Sequence, residues 1–551
     1  MNGMERRRAR AREDNSQPGL LDRSRTIAGP RFNRWLVPPA ALAIHLSIGM
    51  AYGFSVLWLP LSNALPGIAT CGLNISWLDE LTARCNWRLA SLNITFVLFT
   101  VVLGLAAAIW GKWVERVGPR KAAVFATLFW CGGLALGAVA IQTHQLWLLW
   151  LGTGVLGGVG LGLGYISPIS SLIRWFPDRR GMATGMAVMG FGGGAMIGAP
   201  LAVWLMSHFQ SANETGVAAT FLSLAGIYAV FMLGGAFGYR LPPRDWLPVG
   251  WQPPESKFAT YARGVHVSKA WKTSTFWCVW GVLAMNISAG IGMLSMASPM
   301  LQEIFGGRLI GLNLGINALN TDQRAQCAII AVGFTGLLSL FNISGRFFWA
   351  VLSDRIGRKN TFFCFFIIGI PLYAALPALS AAGHIALVVA SFCLLMSIFG
   401  GGFALVPAYL SDLFGDEMIS AIQGRVLTAW STAGVIGPLL ISTLRNYQVE
   451  HGAEPAHAYD YAFYVIAGLL LVGLVINTRV RPVAERHFMS AAELERYRLD
   501  SRHDIAHESE SVKGLAMPPV FSATAAAVWA TVCLPIAWGI WMTLQRAAIL
   551  L

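Results

Sequence analysis

Twelve separate stretches, each of about 20 or more mostly apolar residues, fall before residue 480 of this chain, and a thirteenth follows. They run roughly over 36–62, 89–110, 122–141, 146–173, 182–207, 217–239, 274–300, 327–352, 361–382, 384–410, 421–443 and 461–480, then 520–545. In lipid every backbone N–H and C=O must be satisfied internally, which leaves helices or closed barrels. Stretches of this length are too long for barrel strands, so the expectation is an all-α integral membrane protein. Of the 551 residues 55% are hydrophobic and only 12% charged, which excludes a disordered chain, a disulfide scaffold and a soluble multidomain enzyme. The first 34 residues are Arg-rich with no short apolar core, so they do not read as a cleaved signal.

The net charge of +13 suggests nucleic acid or anionic lipid until it is sorted by segment. Of the 40 Lys and Arg, 33 fall on one set of alternate loops and 6 on the other, with Arg346 alone inside a span. By the positive-inside rule the richer set is cytoplasmic. This puts the N-terminus inside a cell (inner) membrane and, with a thirteenth span, the C-terminus outside. The charge then marks topology, and no nucleic-acid partner is expected.

Several pairs of residues recur 239 positions apart: Glu115 and Asp354, Gly118 and Gly357, Pro168 and Pro407, Gly185 and Gly424, Gly198 and Gly437. Two related halves follow, 36–239 and 274–480, joined by a cytoplasmic loop 240–273, preceded by a basic segment 1–35 and followed by a cytoplasmic tail 481–519. This parallel repeat is the plan of a two-bundle transporter that binds substrate near the midplane, between the halves. The loops that carry it, Gly111-x-x-x-Glu115-Arg116-x-Gly118-x-Arg120-Lys121 and Asp354-Arg355-x-Gly357-Arg358-Lys359, resemble the signature of the major facilitator superfamily. The resemblance implies two six-helix bundles and a cytoplasmic gate in which an acid at a helix end, with basic partners, pins two helices.

Arg34-Trp35-Leu36-Val37-Pro38-Pro39, Tyr52-Gly53-Phe54-Ser55-Val56, Arg174 to Gly181, Asn342-Ile343-Ser344-Gly345-Arg346 and Leu427-Thr428-Ala429-Trp430 further resemble the oxalate/formate antiporter family. In its oxalate-exchanging members an Arg of the eighth span and a Lys of the eleventh each bind a substrate carboxylate. Arg346 matches the first, whereas Trp430 occupies the position of the second. One cation implies a monocarboxylate such as formate, pyruvate or lactate, with oxalate/formate exchange the alternative. The thirteenth span resembles a short single-span partner that accompanies some members, here fused.

Depth points to the same residue. Arg346 lies eight residues, about 12 Å, before Asp354, near the middle of a roughly 30 Å core. No acid lies deep in any span, so its counter-ion is either the substrate or backbone carbonyls. A guanidinium forks onto a carboxylate through two parallel hydrogen bonds. Tyr165, Trp430, Phe403 and His45 fall at similar depth, where each is a substrate contact or ordinary packing. His45 leaves proton coupling open beside anion exchange. Gly154, Gly158 and Gly162, and Gly190, Gly194 and Gly198, form stripes that suit close helix packing. Cys71 and Cys85 share a long outer loop and are compatible with a disulfide or with two free thiols. No metal-ligand spacing, cofactor motif or ATP-binding loop is present. The expectation is a monomeric secondary transporter of small organic anions in contact with membrane lipid. It is not an enzyme, and a non-transporting carboxylate sensor is the alternative.

Overall fold

The apolar stretches become helices wherever the chain is long enough to cross lipid, and their ends follow the glycines and prolines. The computed structural model describes residues 19–29, 32–62, 68, 71, 77–211, 215–243, 246–248, 251, 264–500 and 523–547. The first span is α1 (Val37–Ile48), continued by a 3-10 turn, Gly49–Gly53, and a further helix, Ser55–Leu61. Next come α2 (Leu89–Val117), α3 (Pro119–Gln142), α4 (Gly157–Trp175, entered through a π-turn, Trp150–Leu156), α5 (Arg180–Phe209) and α6 (Val217–Gly238). The second half holds α7 (Ser274–Phe305), α8 (Thr321–Ile356), α9 (Arg358–Ala381), α10 (Ile385–Phe414), α11 (Thr428–Glu450, led in by Ile419–Val426) and α12 (Asp460–Thr478). The last is α13 (Ala523–Ala547). All thirteen spans are long and apolar enough to cross a membrane.

Two departures from the sequence expectation have physical causes. The span expected as one helix over 36–62 is interrupted at Gly49–Gly53, where α5 presses against it. A Cβ on Gly194 would lie 2.6 Å from Gly49 Cα, so only paired glycines allow that approach. α2 and α8 run past their apolar stretches to Val117 and Ile356, because their last turns carry the ionic contacts described below. Gly118 (φ 83°) and Gly357 (φ 87°) then reverse the chain in a conformation that L side chains resist.

Within the first half α1 packs on α4, α5 and α6, while α4 packs on α2 and α3. In the second half α7 packs on α11 and α12, α8 on α10, and α9 on α12. The glycine stripes serve this packing: Gly162 meets the Leu103 carbonyl of α2, and Gly190 and Gly198 meet Leu42 and Met50 of the first span. The bundles join along two seams, α5 against α8 and α2 against α11 with its lead-in. α13 lies across the first seam, touching α1, α5 and α8. Its Gly539 sits on Met196 and Ile197, Gly336 of α8 sits on its Thr543, and its Trp529 donates to the Trp35 carbonyl at 3.0 Å. The segment expected only as a tail, 481–519, contains a helix, Ala491–Asp500, anchored by Lys269–Glu493 at 2.9 Å and Met489 N–H to Gly264 O at 3.0 Å.

Away from that tail, at the other end, Cys71 and Cys85 are joined, with Cα atoms 5.1 Å apart. Beside them the buried Glu80 carboxylate accepts from Arg88 N–H (2.8 Å), Arg88 Nε (2.7 Å) and Ser91 Oγ (2.7 Å). Burial pushes this carboxyl up, but the Arg88 and Ser91 bonds outweigh it and hold it below its ordinary value of 4.5.

Two outcomes follow from these contacts. A Gly336→Cys/Thr543→Cys pair should cross-link α8 to α13, and Gly539→Leu should reduce the yield by overpacking the α5 side. A folded pKa below the unfolded one means the stabilisation from Glu80 is complete above about 4.5 and fades as pH falls further. Glu80→Gln should therefore melt several degrees below wild type at pH 7, with the gap beginning to close only as the pH falls below 4.5 and through the lowered folded value. A gap independent of pH would assign the loss to shape rather than charge.

Candidate functional site

Arg346 is 0% exposed on α8 and meets the other bundle there. A long side chain on a helix leans towards the N-terminus, and here Nε donates to Asn342 Oδ1, one turn back, at 3.0 Å. Nη1 donates across the α5–α8 seam to the Val188 carbonyl at 3.1 Å. Nη2 is buried and has no hydrogen-bond partner among the described residues. The guanidinium carbon lies 5.1 Å from the Phe403 ring centre and 5.7 Å from that of Phe191, so aromatic faces compensate part of its desolvation.

Trp430 of α11 sits at the centre of the aromatic group, 4.7 Å from Phe403, 5.3 Å from Phe191, 5.5 Å from Tyr165 and 6.2 Å from Tyr52 between ring centres. Its indole N–H and the Tyr52 hydroxyl are both buried without partners among the described residues. The Tyr52 hydroxyl faces Arg346 and Trp430 without reaching hydrogen-bonding geometry to either. Three donors without partners among the described residues therefore meet in one buried place: guanidinium, phenol and indole. Leaving a buried donor unmade costs roughly 1–3 kcal/mol, so this arrangement suits an acceptor-rich guest.

The structure thus brings Arg346, Tyr165, Phe403 and Trp430 together. His45 is adjacent but differently engaged. Its ring lies 5.3 Å from that of Tyr165, with Nδ1 2.6 Å from the Ala187 carbonyl and Nε2 3.2 Å from the Tyr165 carbonyl. It ties α1 to α4 and α5. Tyr52, Phe191 and Asn342 were not singled out as site residues from sequence. Phe191 had a signal: it precedes Trp430 by 239 positions, so the two are repeat mates that touch at the interface between the halves. On one side of the guanidinium, away from the ionic end, a cavity of about 100 Å³ opens between Tyr52, Ala195, Leu294, Thr335, Ser339 and Asn342.

The basic end is closed by ionic contacts between the bundles. Glu115 accepts from Ser420 N–H at 2.7 Å, at the start of the lead-in to α11, and from Arg174 at 2.7 Å. Asp354 accepts from Gly181 and Met182 N–H, both at 2.9 Å, at the start of α5, and pairs with Arg358 at 2.5 Å. Each acid caps a helix of the opposite bundle, where the helix dipole and free N–H groups favour negative charge. Acids and capped residues obey the same offset: Gly181 and Ser420 are again 239 apart. Gly111 meets Ser420, and Gly181 meets Ala350, so each copy needs one glycine but on opposite partners.

Of the basic residues in the signature, Arg358 pairs with its acid and others do not. Arg116 and Arg355 are exposed, and Arg120 donates to the Leu20 carbonyl at 3.1 Å. Arg174, outside the signature, serves Glu115, while Arg358, within it, serves Asp354, and Arg180 adds bridges to Asp412 (3.5 Å) and Asp416 (2.5 Å) of the other bundle. Burial pushes the Asp416 carboxyl up, while Arg180 and Ser411 pull it back. Among the described residues no group of three His, Cys, Asp or Glu could hold a metal ion.

Comparison with known proteins agrees with this architecture. The Major Facilitator Superfamily profile matches residues 31–438 and 327–549. The chain is 26% identical over 369 residues to the oxalate:formate antiporter of Oxalobacter formigenes, covering 66% of this chain and 79% of that one. It is 24% identical over 344 residues to apicoplast pyruvate carrier 1 of Toxoplasma gondii, covering 53% and 59%. A solved proton:xylose symporter shares the fold at TM-score 0.55 and 13% identity, covering 84% of this chain and 98% of that one. These relatives are transporters, not enzymes.

The reciprocal caps make a specific prediction. Glu115→Gln should speed alkylation of a cysteine placed at Ser420 about tenfold, since a charge-assisted bond is weakened. Unchanged reactivity would show that the cap does not hold this end shut.

Proposed function

Because the chain belongs to the major facilitator superfamily, we propose that it is a secondary transporter of small monocarboxylates, working by alternating access of the two bundles. The observation that carries this reading is the unfilled Nη2 of Arg346 beside two more orphaned donors, Tyr52 hydroxyl and Trp430 Nε1. A carboxylate supplies two oxygens and about four lone-pair sites, enough to take all three. One cation balances one negative charge. Trp430, at the position where the oxalate-exchanging relatives place a Lys, donates without adding charge, which selects against a dianion such as oxalate.

The coupling follows from the same charge. An empty carrier must carry an unneutralised guanidinium through a closed state, whereas a loaded one carries a neutral pair. Exchange of one monocarboxylate for another is therefore favoured over net flux. His45 is the remaining candidate for proton coupling: both its ring nitrogens face backbone carbonyls, a neutral ring can donate to only one of them, and a protonated ring donates to both. In this reading the basic end is cytoplasmic, the N-terminus lies inside, and α13 returns the C-terminus to the outside.

Counterflow of a labelled monocarboxylate into proteoliposomes tests it. Arg346→Gln should lower affinity about 100-fold or more, and Arg346→Lys should recover only part because it loses the planar fork. Oxalate transported as well as monocarboxylates, or wild-type affinity in Arg346→Gln, would sink the reading.

A further inference from the structure

We propose that the cavity beyond Arg346 is a hydroxyl subsite, in which Ser339 and Thr335 make the carrier select 2-hydroxy monocarboxylates of roughly two to four carbons. The proposal rests on the monocarboxylate reading above and adds a determinant to the same site.

Thr335, Ser339, Asn342 and Arg346 follow one another at helical spacing and share one face of α8. Asn342 orients the guanidinium, and Ser339 and Thr335 line the cavity about one and two turns further along, respectively. Gly192 of α5 keeps the floor open: a Cβ there would lie 3.1 Å from Arg346 Nε and 3.2 Å from Asn342 Oδ1. Arg346 does not itself line the cavity, but Tyr52 and Asn342 do, so a carboxylate taken by Nη2 and Tyr52 would place its remaining atoms on the Asn342 and Ser339 side.

The two hydroxyl protons are already committed. Thr335 Oγ1 donates to the Ala331 carbonyl at 3.0 Å, and Ser339 Oγ donates to the Thr335 carbonyl at 3.1 Å. Each presents only lone pairs to the cavity, so each can receive a hydrogen bond but not give one. A guest with a hydroxyl on the carbon next to its carboxylate can donate its one proton to either of them. An unsubstituted acid leaves them unpaired once water is displaced, and a 2-oxo acid sets its carbonyl oxygen against them. A 2-amino acid would bring an ammonium group close to the guanidinium, a like-charge contact.

Size sets the other bound. One water needs about 10–15 Å³ of such space, so about 100 Å³ accommodates a handful of heavy atoms. Leu294 and Ala195 supply an apolar wall for a short alkyl end. Formate leaves the cavity unused.

The test measures competition by matched acids, glycolate against acetate and lactate against propionate and pyruvate, in counterflow by the purified protein. Wild type should favour each hydroxy member about tenfold over its deoxy partner. Ser339→Ala with Thr335→Val should reduce that ratio about five- to tenfold, and Ser339→Thr should restore it. Arg346→Gln should weaken both members of each pair together. No hydroxy preference in wild type, or a preference unchanged in the double variant, overturns the hydroxyl subsite. Unaltered binding of every acid by Arg346→Gln instead overturns the carboxylate reading beneath it. Should the double variant fail to fold, judged by its melting curve, Ser339→Ala and Ser339→Thr alone carry the same comparison.

Discussion

A guanidinium held away from water, with no carboxylate to neutralise it, is the constraint around which the centre of this protein is arranged. Taking such a charge out of water is expensive unless its donors are met. Asn342 meets one, the Val188 carbonyl meets another across the bundle interface, and the faces of Phe403 and Phe191 lie alongside. The remainder is left open, next to two further unfilled donors. The position related to Arg346 in the first half is Ala107, 239 residues earlier, which packs its carbonyl against Gly424 much as the Arg346 carbonyl packs against Gly185. The backbone relation between the halves is kept there, and only the side chain breaks it. Asymmetric chemistry is thus placed on a symmetric frame.

The ionic end uses the same frame differently. Two acids, one per half, reach across to free N–H groups at helix starts in the opposite half. Neither acid relies on side-chain cations alone, so each seal is fixed in direction as well as in charge. Arg174, Arg180 and Arg358 then tune the local field. Because each bond crosses the interface, opening this end must break both caps and the Arg180 bridges.

Much of this was legible in the sequence, and the reasons are physical. Apolar length forces helices in lipid, and charge asymmetry sorts the loops, so the thirteen helices could be read directly. A solitary Arg at mid-depth is costly enough to announce itself. The aromatic neighbours Tyr165, Phe403 and Trp430 could be ranked by depth, since depth along a helix is simple arithmetic. Tyr52 and Asn342 could not, because facing a neighbour depends on helix rotation. The break at Gly49–Gly53 depends on α5 pressing from outside, which no local pattern in that stretch reveals. The gate acids followed from the repeat and Arg358 from the signature, but the other partners did not: Arg116 and Arg355 sit in the signature and point to the surface, while backbone N–H groups carry no sequence label.

The thirteenth helix alters the mechanics of a frame that is otherwise two-fold. It grips α1, α5 and α8 on one flank through Trp529, Gly539 and Thr543. The opposite flank joins α2 to α11 and its lead-in. In the proposed alternating access, one flank would move with an added helix bridging both bundles and the other without one. Under the alternating access proposed above, the two flanks, and the lateral faces they present to lipid, would therefore not be equivalent.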